Sequence, residues 1–141
     1  VKGYLLAGVQ TADHIQCLAD FRELGWDIMV STEDGTAGHR GLVTELLESF
    51  LQKGDSKTYE VFSCGPIPML QRISEMASES GIKAWVSLDR QMGCGIGVCL
   101  ACVQKVRKQQ TSSDTAPSET DWEWARVCKE GPVFECREVI W

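Results

Sequence analysis

The sequence predicts an α/β fold: a parallel sheet with covering helices, followed by a small β-rich segment organised around cysteines. Three observations point there. From residue 1 to about 88, short strand-like apolar runs alternate with amphipathic helical stripes. Glycine and proline punctuate the junctions between them. After residue 88 the helical periodicity stops, and Cys, Gly and brief β-like runs take over.

The elements follow in order. Gly3 to Gly8 reads as a buried strand. Thr11 to Leu24 reads as one helix, with Ile15, Leu18, Ala19 and Phe21 near one face and Thr11-Ala12-Asp13 offering a cap. Gly25 stands where a helix C-terminus wants a left-handed residue. Trp26 to Ser31 is a second strand, and Glu33 to Gly38 has the composition of a loop. Gly41 to Gln52 is a helix, with Leu42, Val43, Leu46, Leu47, Phe50 and Leu51 on a broad stripe. Gly54-Asp55-Ser56 is a turn, and Thr58 to Ser63 a β-branched and aromatic strand. Pro66 to Ser80 is a helix ended by Gly81, and Ala84 to Leu88 is a fourth strand.

Residues 89 to 141 show no convincing helix. Val103 to Val106 and Trp124 to Cys128 read as strands, and Val133 to Arg137 as a terminal one. Between the first two, Lys108 to Asp121 is polar and low in complexity, which predicts a mobile loop. The expected domains are thus 1–88 and 89–141.

Composition narrows the function. The chain has 141 residues, 43% hydrophobic and 24% charged, within the range of ordinary globular domains. No apolar run approaches the ~20 residues that span a bilayer. The net charge is -6 with no basic stripe, so nucleic acid and anionic membrane are poor partners. Val1-Lys2-Gly3-Tyr4 carries no basic stretch ahead of an apolar core, so no secretory leader is expected. Seven cysteines, five of them crowded into the C-terminal segment, fit thiolates committed to metal in a reducing, cytoplasmic setting better than a disulfide scaffold.

Cys94-Gly95-Ile96-Gly97-Val98-Cys99-Leu100-Ala101-Cys102 has the Cys-x4-Cys-x2-Cys spacing of plant-type [2Fe–2S] sites, which are completed by one distant cysteine. A short loop must curl so that three sulfurs converge. Gly95 and Gly97 remove Cβ atoms inside the curl, permit positive φ, and let backbone N–H groups turn inward toward the anionic centre. The fourth ligand is Cys128 or Cys136. Cys128 is favoured, since it precedes a turn while Cys136 sits in the terminal strand. A structural zinc site is the competing metal reading, but it ordinarily pairs two Cys-x2-4-Cys knuckles or adds histidines. Here there is one such knuckle, and His14 and His39 lie far upstream. Cys17, near an apolar helical face, reads as a small buried hydrophobe.

A second candidate site is Ser63-Cys64-Gly65-Pro66, at the carboxyl end of a strand, where parallel sheets bind ligands. Gly65 would let a flat ligand approach the backbone, and Pro66 would open the next helix. The plain alternative is a strand-to-helix turn with a buried thiol. Thr32-Glu33-Asp34-Gly35 also follows a strand, and its composition alone favours a simple turn. His39 is expected to be solvated or to cap the following helix, and Trp122 and Trp124 to pack near the cluster.

The segment Ser63-Cys64-Gly65-Pro66-x-Pro68-Met69 resembles the nicotinamide-site motif of the ferredoxin-reductase superfamily. Val86-Ser87-Leu88-Asp89-Arg90-x-Met92-x-Cys94-Gly95-Ile96-Gly97-x-Cys99-x-Ala101-Cys102 resembles the cluster segment of the electron-transfer subunits of NAD-dependent dihydroorotate dehydrogenases. So does Val127-Cys128-Lys129-x-Gly131-Pro132-Val133-Phe134. Thr32-Glu33-Asp34-Gly35-x-x-Gly38-x-x-Gly41-x-Val43-Thr44 matches the same family's central loop and helix. The likeness covers nearly the whole chain.

The resemblance implies a ferredoxin-reductase-type NAD-binding domain followed by a [2Fe–2S] domain. It implies electron flow from NAD(H) through FAD and the cluster to FMN in a catalytic partner subunit that oxidises dihydroorotate in pyrimidine biosynthesis, in a heterotetramer. It makes Cys94, Cys99, Cys102 and Cys128 the cluster ligands. It sets Cys64, Gly65 and Pro66 against the nicotinamide, and Asp34 and Gly35 near the nucleotide. The family begins with an FAD-binding β-barrel and a glycine-rich strand-to-helix segment, neither of which this sequence shows. A C-terminal fragment lacking the sheet's first strand, and inactive alone in NAD oxidation, is therefore the expectation. Two other readings compete: the flavin and iron–sulfur subunit of a ferredoxin:NADP oxidoreductase, sulfide dehydrogenase or hydrogenase, and a zinc-stabilised binding module.

Overall fold

The computed structural model describes residues 3–53, 59–108 and 121–141. The turn expected at Gly54-Asp55-Ser56 and most of the loop expected over Lys108 to Asp121 lie outside the described residues. The chain divides into two compact units, 1–55 and 56–141.

In the first unit, β1 (Tyr4–Val9) pairs in parallel with β2 (Asp27–Thr32), with Tyr4 opposite Asp27 and Val9 opposite Thr32. A two-residue strand, β3 (His39–Arg40), continues the sheet in parallel beside Ser31 and Thr32. The helix expected over Thr11 to Leu24 is instead broken in two: a 3-10 turn at Ala12–His14, then α1 (Leu18–Glu23). The break is a backbone event. Ile15 is extended, and Cys17 adopts φ 61, a left-handed conformation that no α-helix propagates. Cys17 is exposed, not the buried hydrophobe that helical periodicity implied, because the break removes the face it was counted on. The amphipathic helix predicted near Gly41 forms as α2 (Val43–Lys53) and buries Leu47.

In the second unit, β4 (Glu60–Cys64) pairs in parallel with β5 (Lys83–Ser87), and α3 (Ile67–Ser80) makes the crossover. Gly81 ends α3 in the left-handed conformation, as the sequence predicts. The C-terminal segment adds an antiparallel hairpin, β6 (Val103–Arg107) with β7 (Trp122–Arg126). One turn of helix, α4 (Val127–Glu130), follows β7 directly. The sequence reading gave this region no helix and continued the strand to Cys128; the chain turns at Val127 instead. Finally β8 (Val133–Glu135) returns to pair antiparallel with β5, Trp85 opposite Glu135 and Ser87 opposite Val133. That pairing ties residues 60–87 to the cysteine-bearing segment.

One core holds the second unit together. Leu70 and Ala77 of α3, Ala84 and Val86 of β5, Val106, Ala125, Val127, Phe134, Cys136 and Val139 are all buried and mutually packed. Val127 has no exposed surface. Burying such a side chain stabilises by about 1.5–3 kcal/mol, so α4 is anchored one residue before Cys128. The placement of that thiol is therefore a consequence of core packing.

Candidate metal centre

The cysteine loop curls as its glycines predict. Gly95 and Gly97 have φ 68 and 83, and Leu100 joins them at φ 59. The curl directs backbone donors onto sulfur. Val98 and Cys99 N–H donate to Cys94 Sγ at 3.3 and 3.4 Å. Cys128 N–H donates to Cys102 Sγ at 3.4 Å, and the Gly97 N–H lies within hydrogen-bonding reach of Cys128.

The four sulfurs fall into two pairs. Cys94 and Cys99 interact through their side chains, as do Cys102 and Cys128. The inner pair is rooted in the core: Cys102 is buried, and Cys128 packs against the same cluster of side chains. On the outer side Cys99 is exposed. Among the described residues no three His, Cys, Asp or Glu side chains converge at the spacing of a single ion. Two pairs of thiolates suit a binuclear [2Fe–2S] centre, with one pair for each iron. A lone zinc would instead gather all four at one point. The donor set and the inward N–H groups fit the cluster. Cys136, the alternative fourth ligand, is 1% exposed and belongs to the hydrophobic core.

The same geometry sets the thiol acidities. The N–H groups of Cys99, Ile96 and Val98, together with the Cys99 thiol, lower Cys94 from 9.0 to about 6. Cys102 is lowered chiefly by the Cys128 backbone N–H and side chain. Cys128 is raised, because its thiol donates to Cys102 and is partly desolvated. In the metal-free chain, then, Cys94 is largely thiolate at neutral pH. Iodoacetamide at pH 7 is expected to label Cys94 well ahead of Cys128, and peptide mapping of the time course checks the order. The depressed folded value also fixes the sign of the linkage. Its stabilisation of the metal-free fold is full above the unfolded value near 9 and is lost as pH falls through about 6.

Arg126 and Glu130 were not singled out in the sequence, although their i, i+4 spacing is legible there. Arg126 Nε donates to both Glu130 carboxylate oxygens at 3.1 and 3.0 Å, and its Nη2 pairs with Oε1 as well. Arg126 Nη1 donates to the Gly97 carbonyl at 3.2 Å. A Cβ on Gly97 would stand 3.1 Å from Lys129 Cδ and 3.4 Å from Arg126 Cδ. Loop and α4 thus meet at Gly97. The loop's entrance is fixed as well: Arg90 Nη2 donates to Gln104, which bonds the Ile140 carbonyl at 2.9 Å.

Cys64 stands exposed at the end of β4. It lines a shallow hollow of about 190 Å³ with Phe62, Ser63, Trp85, Ser87 and Val133. Glu60 holds Trp85 in place, accepting from its Nε1 at 2.7 Å and pairing with Lys83 at 3.2 Å. The hollow is smaller than the ~300–1,000 Å³ of typical ligand pockets. Pro66 precedes the first turn of α3, and the space a Cβ on Gly65 would take is held by Met69 Cε, 2.5 Å away.

In the first unit, Asp34 and Gly35 lie in the turn after β2. Asp34 Oδ1 accepts from the Thr36 N–H at 3.0 Å and hydroxyl at 2.7 Å, which lowers its pKa. Thr36 Oγ1 accepts in turn from Ala12 N–H at 2.8 Å. The Asp34 carboxylate thus braces its own turn. His39 pairs with Glu45 at 2.9 Å. Trp122 and Trp124 stack edge to face with centroids 5.5 Å apart, and Lys105 lies 4.1 Å over Trp122.

Comparison with known proteins bears on the whole chain. Residues 89–140 match the family model of the iron–sulfur cluster binding domain of dihydroorotate dehydrogenase B. A dihydroorotate dehydrogenase B (NAD(+)) electron transfer subunit from Caldanaerobacter subterraneus subsp. tengcongensis is 38% identical over 120 residues, covering 85% of this chain and 42% of that protein. An electron transfer subunit homolog from Aquifex aeolicus is 37% identical over 139 residues, covering 99% of this chain and 47% of that protein. The chain therefore spans a little under half the length of the curated relatives it matches. Among solved structures, one described as an NADH-dependent reduced ferredoxin-NADP oxidoreductase is similar at TM-score 0.74 and 27% identity, over 99% of this chain and 45% of that one. With a Cys-x4-Cys-x2-Cys loop and a further cysteine packed against the core, residues 89–140 match the iron–sulfur cluster binding domain of dihydroorotate dehydrogenase B, and the chain as a whole is similar to the electron transfer subunits of that enzyme.

Proposed function

We propose that this chain is the cluster-bearing part of a subunit that carries electrons from NAD(H), by way of FAD, to an FMN-containing catalytic subunit oxidising dihydroorotate in pyrimidine biosynthesis. Cys94, Cys99, Cys102 and Cys128 are the proposed ligands of a [2Fe–2S] cluster, which when bound supplies one-electron carriage. The four-cysteine arrangement carries this reading: Cys99 is set against Cys94 Sγ and Cys128 against Cys102 Sγ by their backbone N–H groups. In the proposed domain division, residues 1–88 belong to a ferredoxin-reductase-type NAD-binding domain and 89–141 to the cluster domain. Cys64, Gly65 and Pro66 are the proposed nicotinamide contacts, with Asp34 and Gly35 on the nucleotide side.

The outer cysteine pair shares its loop with Ile96, Val98 and Leu100, which are 72%, 73% and 60% exposed. Apolar side chains so exposed around a redox site suit a protein partner, here the catalytic subunit of a cytoplasmic heterotetramer. No helix among the described residues is long and apolar enough to cross a membrane.

Anaerobic purification tests the reading. The expected product is red-brown, carries two irons and two acid-labile sulfides per chain, and bleaches under dithionite. A colourless chain with one zinc would leave only a zinc-stabilised module. The structural likeness to the ferredoxin-NADP oxidoreductase favours a second reading, a subunit of such an enzyme. Bleaching by dihydroorotate when the full-length subunit is joined to the catalytic subunit separates the two.

A further inference from the structure

We infer that Arg126, held by Glu130, is a positioning residue for the four-cysteine centre: it locks the three-cysteine loop to the helix bearing Cys128 and fixes a positive charge beside the Cys102–Cys128 pair. The inference rests on the proposed cluster ligands.

Three contacts carry it. Arg126 is the last residue of β7 and stands immediately before α4. Its guanidinium reaches the Gly97 carbonyl in the middle of the cysteine loop, 29 positions away in sequence. Its backbone N–H donates to Glu130 Oε2 at 2.6 Å while its side chain forks onto the same carboxylate. Glu130 therefore closes α4 on itself and holds the guanidinium in one orientation. The pair is only partly exposed, at 32% and 36% of the two side chains, so water screens it less than an open surface pair.

Gly97 meets this helix closely. Its carbonyl accepts from Arg126, and a Cβ on it would stand 3.1 Å from Lys129 Cδ. The loop is thereby fastened to α4 through one residue, and the fastening disappears without a donor at position 126. The charges act together with this geometry. Four thiolates and two bridging sulfides make an anionic centre, more so after it gains an electron. A fixed guanidinium nearby favours the reduced form, and the Glu130 carboxylate tempers that effect.

The two halves of the pair therefore predict opposite redox shifts, which a role in folding alone would not. Arg126→Gln, Arg126→Lys and Glu130→Gln in the whole chain, purified without oxygen, are compared with wild type. Equilibrium redox titration followed by visible absorbance and electron paramagnetic resonance gives the potential. Arg126→Gln is expected to lower it, by roughly a tenfold change in the electron-transfer equilibrium, about 59 mV for one electron. Glu130→Gln is expected to raise it. Arg126→Lys keeps the charge but not the fork, so its potential stays near wild type while chelators strip its iron faster. In the metal-free chains, amide hydrogen exchange at Ile96 to Val98 is expected to quicken in Arg126→Gln.

Equal potentials in wild type, Arg126→Gln and Glu130→Gln would overturn the inference while leaving the ligand assignment intact. A wild-type chain without iron and sulfide would remove the ligand assignment, and the inference with it. If Arg126→Gln fails to assemble, the rise expected of Glu130→Gln still decides the sign.

Discussion

Cys128→Ser is expected to abolish the stable [2Fe–2S] centre, while Cys136→Ser keeps two irons per chain. The two cysteines are eight positions apart, and the sequence favours Cys128 as the fourth ligand with Cys136 as the alternative. Their surroundings separate them. Cys128 shares a hydrogen-bonded pair with Cys102 and faces the loop at Gly97. Cys136 is 1% exposed among Ala84, Val86 and Phe134, with its thiol pushed up by burial. A hydroxyl is a poor ligand for iron and a costly guest in an apolar core. Cys128→Ser should therefore empty the site of iron with little loss of fold. Cys136→Ser should retain iron but lose roughly 1–3 kcal/mol of stability, the cost of burying a weakly paired hydroxyl. Iron and sulfide analysis beside thermal denaturation checks both. Full iron content in Cys128→Ser would refute the ligand set.

Gly38→Ala is expected to be the most damaging single-methyl change in the first unit. Gly38 has φ +65, and a Cβ there would lie 2.1 Å from the Val30 carbonyl oxygen, a backbone atom that cannot swing aside. The left-handed conformation alone costs a non-glycine residue roughly 1–2 kcal/mol. Overpacking against the sheet adds about 1–3 kcal/mol. Gly25→Ala is the control. Gly25 has a similar φ of +76 but nothing within 4 Å of the added Cβ, so only the conformational cost applies. Chemical denaturation of the two variants should show the larger loss for Gly38→Ala. Equal losses would mean the sheet yields to the methyl. The Thr32 hydroxyl, which donates to the Ala37 carbonyl at 2.7 Å and accepts from the Ala37 N–H at 3.0 Å, braces the same turn.

The sequence by itself determined the order of strands and helices from Gly41 to Leu88, because amphipathic stripes and Gly or Pro boundaries are local signals. It likewise determined the metal loop, whose spacing and glycines are the chemistry. It misread Thr11 to Leu24 as one helix, since side-chain periodicity does not register the left-handed backbone at Cys17. It carried β7 through to Cys128, since nothing local in Trp124 to Cys128 marks the turn that Val127 makes into the core. Only the tertiary structure set Cys128 beside Cys102 and Cys136 in the core, sorted the sulfurs into pairs, and brought Arg126 to Gly97. Those choices depend on β8 closing on β5 and on the buried core beneath α4. They are contacts between residues far apart in the chain, which a pattern read along it does not contain.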